Sequence, residues 1–389
     1  MKTRHTRSRR PAQGFTLVEL MVAVAIGMAL ILAMTLMMAR FETGRRSLTS
    51  VNDASQGGAY VTYALDRLLR SAGSGYVQGW RGAFGCKLAA ARGGAAVLPR
   101  ASAFPAPFAT VPQDVMLAPV VVHAGAGTDG SDVIAVTTGS SGMGESPMPV
   151  TANSATATNL RVPATVGVRG NDLVLVYDGG ADCMVQQVTS PFTGGATQDL
   201  NFGGTYAVAS VGAAALANMY TATSVTGNPA WVSMLGNETT NRPSFQLIGV
   251  GDNATLVAHD MLRLDGSDTP VAVADGVGDL RVRYGLDTNA DNVVDTWADP
   301  GVAPWNAATL QSGVAARNAL RQIIALRIAV AVRSSQPERT VQSPATLTMF
   351  PDLAAALQAT RTLSSDEQLL RWRVLDFTVP LRNVLLAPS

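Results

Sequence analysis

The chain has 389 residues and carries 29 Lys and Arg against 28 Asp and Glu, a formal net charge of +1. Charged residues make up 15% and hydrophobic residues 47%, which excludes a charge-rich disordered chain. The lack of a basic excess gives nucleic-acid binding no support. Cys86 and Cys183 are the two cysteines, too few for a fold held by a disulfide framework. The length leaves room for one large or two medium domains.

The charges are unevenly spread. Residues 1–14, MKTRHTRSRRPAQG, hold Lys2, Arg4, Arg7, Arg9 and Arg10 and no acid. Residues 15–39, FTLVELMVAVAIGMALILAMTLMMA, are 25 residues with a single charge, Glu19. As a helix this run spans about 37 Å, more than the ~30 Å hydrocarbon core of a bilayer. The basic flank predicts a cytoplasmic N-terminus with the remainder across the membrane. A cleavable secretory signal fits less well. Its apolar core is roughly 7–15 residues with a small-x-small exit, whereas this run is longer and ends Met37-Met38-Ala39. A plain single-span anchor explains the run but not Glu19, because an ionised carboxylate in a spanning segment is costly unless it has a partner or a function.

The segment Gly14-Phe15-Thr16-Leu17-Val18-Glu19-Leu20 after a short basic leader resembles the class III signal of type IV prepilins and type II secretion pseudopilins. The resemblance implies that prepilin peptidase removes Met1–Gly14 and that Phe15 becomes an N-methylated N-terminus. It also implies that Glu19 pairs with a Phe15 ammonium, its own or a neighbour's, during assembly. Both charges in apolar surroundings strongly favour each other over staying unpaired, so the pair sets axial register between packed helices. Ala23, Ala25, Gly27, Ala29 and Ala33 are small enough for close helix approach. Loss of the leader removes five of the 29 basic residues and leaves 24 against 28 acidic, a net charge of −4.

From Arg40 to Arg70, Phe41, Leu48, Val51, Leu65 and Leu68/Leu69 fall on helical spacings, with Ser55, Gly58 and Thr62 between them. Gly44, Gly57 and Gly58 each weaken the helix by about 1 kcal/mol against Ala. Ser71-Ala72-Gly73-Ser74-Gly75 reads as its stop. A helix over 15–70 would be about 84 Å long. A helical stalk is the alternative, but no sustained heptad supports it. Among pilins the second half of such a helix packs on a β-sheet.

Residues 73–389 read as strands and turns. The predicted strands are 118–122, 132–138, 172–177, 184–189, 245–250, 261–264, 280–284, 323–332 and 372–379, rich in Val, Ile and Leu and bounded by Gly, Asp, Asn and Pro. Residues 139–160 and 190–240 read as long surface loops. Short helices are predicted near 314–320 and 353–358. VADGVGDLRVRYGLDTNADNVVDTW (273–297), LRQIIALRIAVAVRS (320–334) and LRWRVLDFTVPLRN (370–383) resemble the PilW-type minor pilins, including the strand with Arg327 and Arg333. Pro380 removes a ladder donor, so that strand end is expected at a sheet edge.

The sharpest chemical constellation is Asp287-Thr-Asn289-Ala-Asp291-Asn292-Val293-Val-Asp295. Oxygen side chains alternate at spacing two, as in loops that wind around Ca²⁺, a hard cation that takes roughly six to eight oxygens. Asp287, Asn289, Asp291 and Asp295 would give side-chain oxygens and Val293 a backbone carbonyl. The reading expects a structural Ca²⁺; the alternative is a solvated Asp/Asn turn. Asn292 replaces the usual Gly and tolerates left-handed geometry, but the twelfth position is Ala298 rather than Glu. Cys86 and Cys183 would lie outside the cytoplasm, where disulfides persist, and are expected to bond, the alternative being two buried thiols. Gly125-Ala-Gly127-Thr-Asp-Gly130 fits G-x-G-x-x-G, but a strand rather than a helix is predicted after it, which argues against a dinucleotide site. His5, His123 and His259 lack metal-ligand spacing, and Ser140 and Ser141 have no base nearby in sequence.

The expected fold class is α+β. The chain would divide into a cleaved leader (1–14), a transmembrane half-helix (15–39), an amphipathic half-helix (40–72) packed on an antiparallel β-sheet, and a large β-rich periplasmic head (73–389). The expected function is that of a non-enzymatic minor pilin priming pilus assembly, and so twitching motility, at the fibre tip. The implied partners are prepilin peptidase, other minor pilins, the major pilin, the pilus assembly platform and a tip adhesin, with the inner membrane of a Gram-negative cell as its first location. The alternatives are a type II secretion pseudopilin and a membrane-anchored periplasmic binding protein or enzyme.

Overall fold

A computed structural model of the chain describes residues 14, 16–140, 146–180, 182–189, 198–219, 230–263 and 269–388, without the side chains of 39–40, 42–51 and 53. The chain divides into two compact units, Met1–Asn52 and Asp53–Ser389. A single helix, α1 (Leu17–Arg70), contributes to both.

Within the first unit, Leu17–Met38 has a mean hydropathy of 2.6 and no share buried by protein. Thr16 caps it. The Glu19 carboxylate accepts from Thr16 N at 2.9 Å and from Thr16 Oγ1 at 3.1 Å, while Thr16 Oγ1 accepts from Glu19 N at 3.3 Å. This reciprocal Thr-x-x-Glu capping box satisfies two of the donors that a helix start leaves unpaired.

Within the second unit, α1 buries Ala54, Gly58, Val61, Leu65 and Leu69, one stripe at helical spacing, and exposes Gln56, Tyr60, Tyr63 and Arg67. Gly58 lets the helix approach closely, since a Cβ there would press on the Leu375 side chain. The helix stops at Arg70, and Gly73 follows with φ of +79°, a left-handed conformation that glycine adopts without steric cost.

The strands in chain order begin with β1 (Lys87–Arg92), β2 (Ala95–Leu98), β3 (Val120–His123), β4 (Val133–Thr138), β5 (Met148–Pro149), β6 (Asn159–Val162) and β7 (Asp172–Tyr177). Next come β8 (Asp182–Gln187), β9 (Gln198–Asn201), β10 (Ser210–Val211), β11 (Ala214–Ala215), β12 (Trp231–Asn237), β13 (Ser244–Gly251) and β14 (Thr255–Asp260). The last are β15 (Val271–Asp275), β16 (Val277–Leu286), β17 (Thr296–Ala298), β18 (Ile323–Arg333), β19 (Thr346–Met349), β20 (Ala359–Thr362) and β21 (Trp372–Pro380).

Three larger sheets result, ordered β2-β1-β8-β7-β12-β5, β15-β14-β13-β4-β3 and β17-β16-β18-β21. The α1 stripe, the last two sheets and alternate residues of the first share one core, from Val61 and Leu65 to Val282, Ile328 and Val330. The other face of the six-stranded sheet (Ala89, Val174, Val176, Met184, Val232) builds a second core with Leu160, Val162, Leu200 and Leu216. Burial on both faces is why β7 reads DLVLVY, an apolar run without alternation. A third, small core places Ala329 and Ala331 against Leu347, Met349 and Phe350 near the β19–β20 hairpin.

The α+β class is observed, and eight of the nine predicted strands correspond to observed ones within about three residues. The segment 261–264 is a correction: Met261 and Leu262 form a turn, and the strand is Thr255–Asp260 before it. Residues 190–240 are not wholly loop, because β12 is a seven-residue, mostly buried strand inside a sheet. Its Trp-Val-Ser-Met-Leu-Gly-Asn sequence lies next to Gly/Ser/Thr-rich chain, and only pairing with β7 reveals it. Likewise β5 falls in 139–160 and β6 begins there. The strands β1 and β2 are Ala-rich, and alanine carries weak strand propensity.

Among these ladders β1–β8 is parallel, with Leu88 opposite Cys183. Cys86 is bonded to Cys183 across 97 residues of sequence, with an S–S distance of 1.96 Å. Replacing both cysteines by serine should lower the stability of the full chain in detergent by roughly 2–5 kcal/mol, read from urea denaturation midpoints. An unchanged midpoint would mean the bridge does not constrain the unfolded chain.

Candidate functional site

Two regions carry the candidate functional residues. At the N-terminus, Gly14 is exposed and Phe15 lies outside the described residues. Glu19 sits in the third helical position of α1 and is hydrogen-bonded to Thr16. A carboxylate here has a second physical consequence: it lies against the positive end of the helix dipole. No other described helix is long and apolar enough to cross a membrane.

In the head, the Asp287–Asp295 loop follows β16. Asp287 is buried and collects three backbone donors: Oδ1 accepts from Ala290 N at 2.7 Å and Asp291 N at 3.2 Å, and Oδ2 from Asn292 N at 2.9 Å. Ala290 and Asn292 both take a φ of 65°. Asp291 Oδ1 accepts from Val293 N at 2.8 Å, and Asn289 Nδ2 reaches Asp291 Oδ2 at 3.2 Å. Asp295 Oδ2 accepts from Thr288 Oγ1 and N, hydrogen bonds that hold its pKa below the usual carboxylate range. Val293 is exposed. The donor set is all oxygen, the chemistry of a hard cation. As arranged, however, these oxygens face N–H and O–H donors. Among the described residues no group of three or more His, Cys, Asp or Glu is gathered to hold a metal.

The sheet next to this loop is organised by charged groups. Asp132, buried just before β4, receives Gly125 N at 3.0 Å and Val282 N at 2.9 Å, while its own N–H donates to Leu280 O at 2.8 Å. It thereby stitches the start of β4 to the outer edge of β16. Burial pushes its pKa up to about 6, opposed by those N–H donors and by Arg281. On the opposite side of the sheet Arg327 pairs with Asp352 and Asp376, each at 2.6 Å, and its guanidinium lies 5.6 Å from the Phe350 ring centre. The hydrogen bonds that it donates to Asp376 and Asp352 raise its pKa above the normal arginine value. The sequence shows Arg327 but not its partners, which lie 25 and 49 residues away.

The remaining motifs do not converge. Gly125–Gly130 is followed by β4, a strand. Ser140 Oγ donates to the Asn241 carbonyl, and Ser141 lies outside the described residues, as does His5. His123 is buried on β3 and His259 lies against Phe104 and Phe108.

Two family models match the chain. Residues 246–383 match the type IV pilus-assembly protein W family (PilW), and residues 9–35 match the prokaryotic N-terminal methylation motif. The two matches support reading the chain as a PilW-like type IV pilin. No curated protein and no solved structure matches it. The PilW match runs from β13 through β21 and includes the Asp287 loop and Arg327, and the methylation match includes Gly14, Phe15 and Glu19. The pilin's six-stranded sheet, by contrast, lies wholly outside both matches.

Asp132→Ala should strand the buried Val282 N–H at a cost of roughly 1–3 kcal/mol, while the exposed Gly125 N–H turns to solvent. The check is the thermal midpoint of the full-length pilin in detergent. A midpoint equal to wild type would show that the stitch between β4 and β16 carries no stability.

Proposed function

We propose that this pilin is a minor subunit of the type IV pilus, anchored in the inner membrane with its head in the periplasm, that helps prime assembly and ends at the fibre tip. Its role is contact with other subunits rather than catalysis. The single observation that carries the tip assignment is the second core on the six-stranded sheet, built from residues outside the family match. A sheet with both faces covered is more head than one helix needs, and such bulk packs poorly in a helically repeated shaft but is tolerated at an end. Prepilin peptidase, other minor pilins, the major pilin, the assembly platform and a tip adhesin are the partners this reading names.

The expected outcome in cells is N-methylated Phe15 as the mature N-terminus, loss of piliation and twitching on deletion, normal protein secretion, and a trace ratio to the major pilin in sheared fibres. Normal fibres with defective secretion would point instead to a type II secretion pseudopilin, which shares the N-terminal motif. One-to-one stoichiometry along the fibre would overturn the tip assignment.

A second proposal concerns Ca²⁺ at Asp287, Asn289, Asp291, Val293 and Asp295. It is supported by the oxygen donor set, and binding would require Asn289 Nδ2 to give up Asp291 and Asp295. Millimolar calcium should raise the thermal midpoint of the pilin, and Asp291→Ala should abolish the shift. No shift in wild type rejects the proposal.

A further inference from the structure

β21 is the outer strand of the four-stranded sheet, and its nine pairs with β18 run from Arg333↔Trp372 to Ala325↔Pro380 without a register shift. The bonds at its two ends fix which backbone groups are used. Ser334 N donates to Arg371 O at 2.9 Å and Leu381 N to Ile324 O at 2.8 Å. In an antiparallel ladder, hydrogen-bonded residues alternate. Residues 371, 373, 375, 377, 379 and 381 therefore turn their N–H and C=O to β18, and 372, 374, 376, 378 and 380 turn theirs outward. Trp372 N, the first outward donor, is taken by Ser343 Oγ at 3.0 Å, and Pro380, the last outward residue, has no N–H. Between them Val374, Asp376 and Thr378 present three N–H and three C=O groups to which, among the described residues, no strand is paired, although the β19 hairpin lies close to β21. Asp376 counts as exposed although its side chain, paired with Arg327, is only 23% exposed, so what faces solvent there is largely main chain.

Long regular edges are usually blunted by Lys, a bulge, an inward charge or a covering element. The opposite edge of this sheet follows that rule: β16 is capped by Asp132 and β17. The open stretch of β21 carries neither Lys nor bulge; its single outward charge is Asp376, paired with Arg327, and Pro380 closes only its end.

We propose that Val374–Thr378 is a β-augmentation site that takes an extended strand from another subunit of the pilus, with a basic residue opposite Asp376. Main-chain bonds would supply the affinity and alternate side chains the selectivity. The charge requirement comes from Arg327, Asp352 and Asp376, which sum to −1 at the edge, with Asp352 61% exposed. A second copy of this chain fits poorly. Antiparallel self-pairing centred on Asp376 would set two such −1 clusters face to face, and like charges directly opposite are unfavourable. This inference rests on the proposed assembly role.

The test uses the full-length pilin, purified in detergent alone and after co-expression with the other pilins of its fibre. Backbone hydrogen exchange is read at Val374, Asp376 and Thr378. At least tenfold slower exchange in the complex, with Leu375 and Phe377 unchanged, is the expected result. Thr378→Pro should remove an outward donor that the fold does not use, leave the thermal midpoint of the lone pilin unchanged, and reduce recovery of the complex at least tenfold. A complex that forms with these three amides still exchanging freely, or that forms equally with Thr378→Pro, overturns the inference while sparing the assembly role. Failure to form any complex with pilins, together with an unmethylated N-terminus, overturns the assembly role itself. Concentration-dependent protection in the lone pilin would reject a heterologous strand in favour of self-pairing.

Discussion

A methyl group at position 58 would press on the Leu375 side chain, so the second part of α1 lies close on the four-stranded sheet, where any larger residue would force Leu375 to shift. Val61, Leu65 and Leu69 follow along the same stripe and are fully buried or nearly so. With that stripe in place, Val282, Ile328 and Val330 have a surface to pack on, and the five-stranded sheet closes the same core. Gly58 is a poor helix residue by propensity, and it is retained in the helix because tertiary packing repays its entropy locally. The single stripe also explains the polar character of the opposite side, where Gln56 and Arg67 flank Tyr60 and Tyr63.

The two ends of α1 answer to different surroundings. Leu17–Met38 is apolar all round and unburied by protein, so it is stable only against lipid or against other apolar helices. Asp53–Arg70 buries one side and belongs to the second compact unit. Glu19 stands at the head of the first stretch and is held by Thr16. The carboxylate therefore has a local role, closing the helix start.

Charged side chains organise the head as much as apolar ones do. Asp132 covers one edge of the four-stranded sheet by accepting and donating along β16, and Arg327 gathers Asp352 and Asp376 beside the other. The consequence is an asymmetric sheet, with one edge closed and one open.

The sequence by itself determined the N-terminal half of this account. Leader charge, apolar length, Gly14, Phe15 and Glu19 are contiguous, so their meaning depends on order along the chain and on a bilayer of fixed thickness. Most of the Val- and Ile-rich strands were legible for a similar local reason: β7, β13, β16 and β18 announce themselves by composition between turn residues. Only the tertiary structure decided that Ala-rich Lys87–Leu98 and Trp231–Asn237 are strands of one sheet, because weak propensities are overridden by pairing with distant β7 and β8. It also decided the partners of Asp132 and Arg327, which lie far away in sequence. Whether the outward N–H groups of β21 have a neighbour depends on sheet order, and order is set by which faces can be buried together, a property of the whole head rather than of any segment.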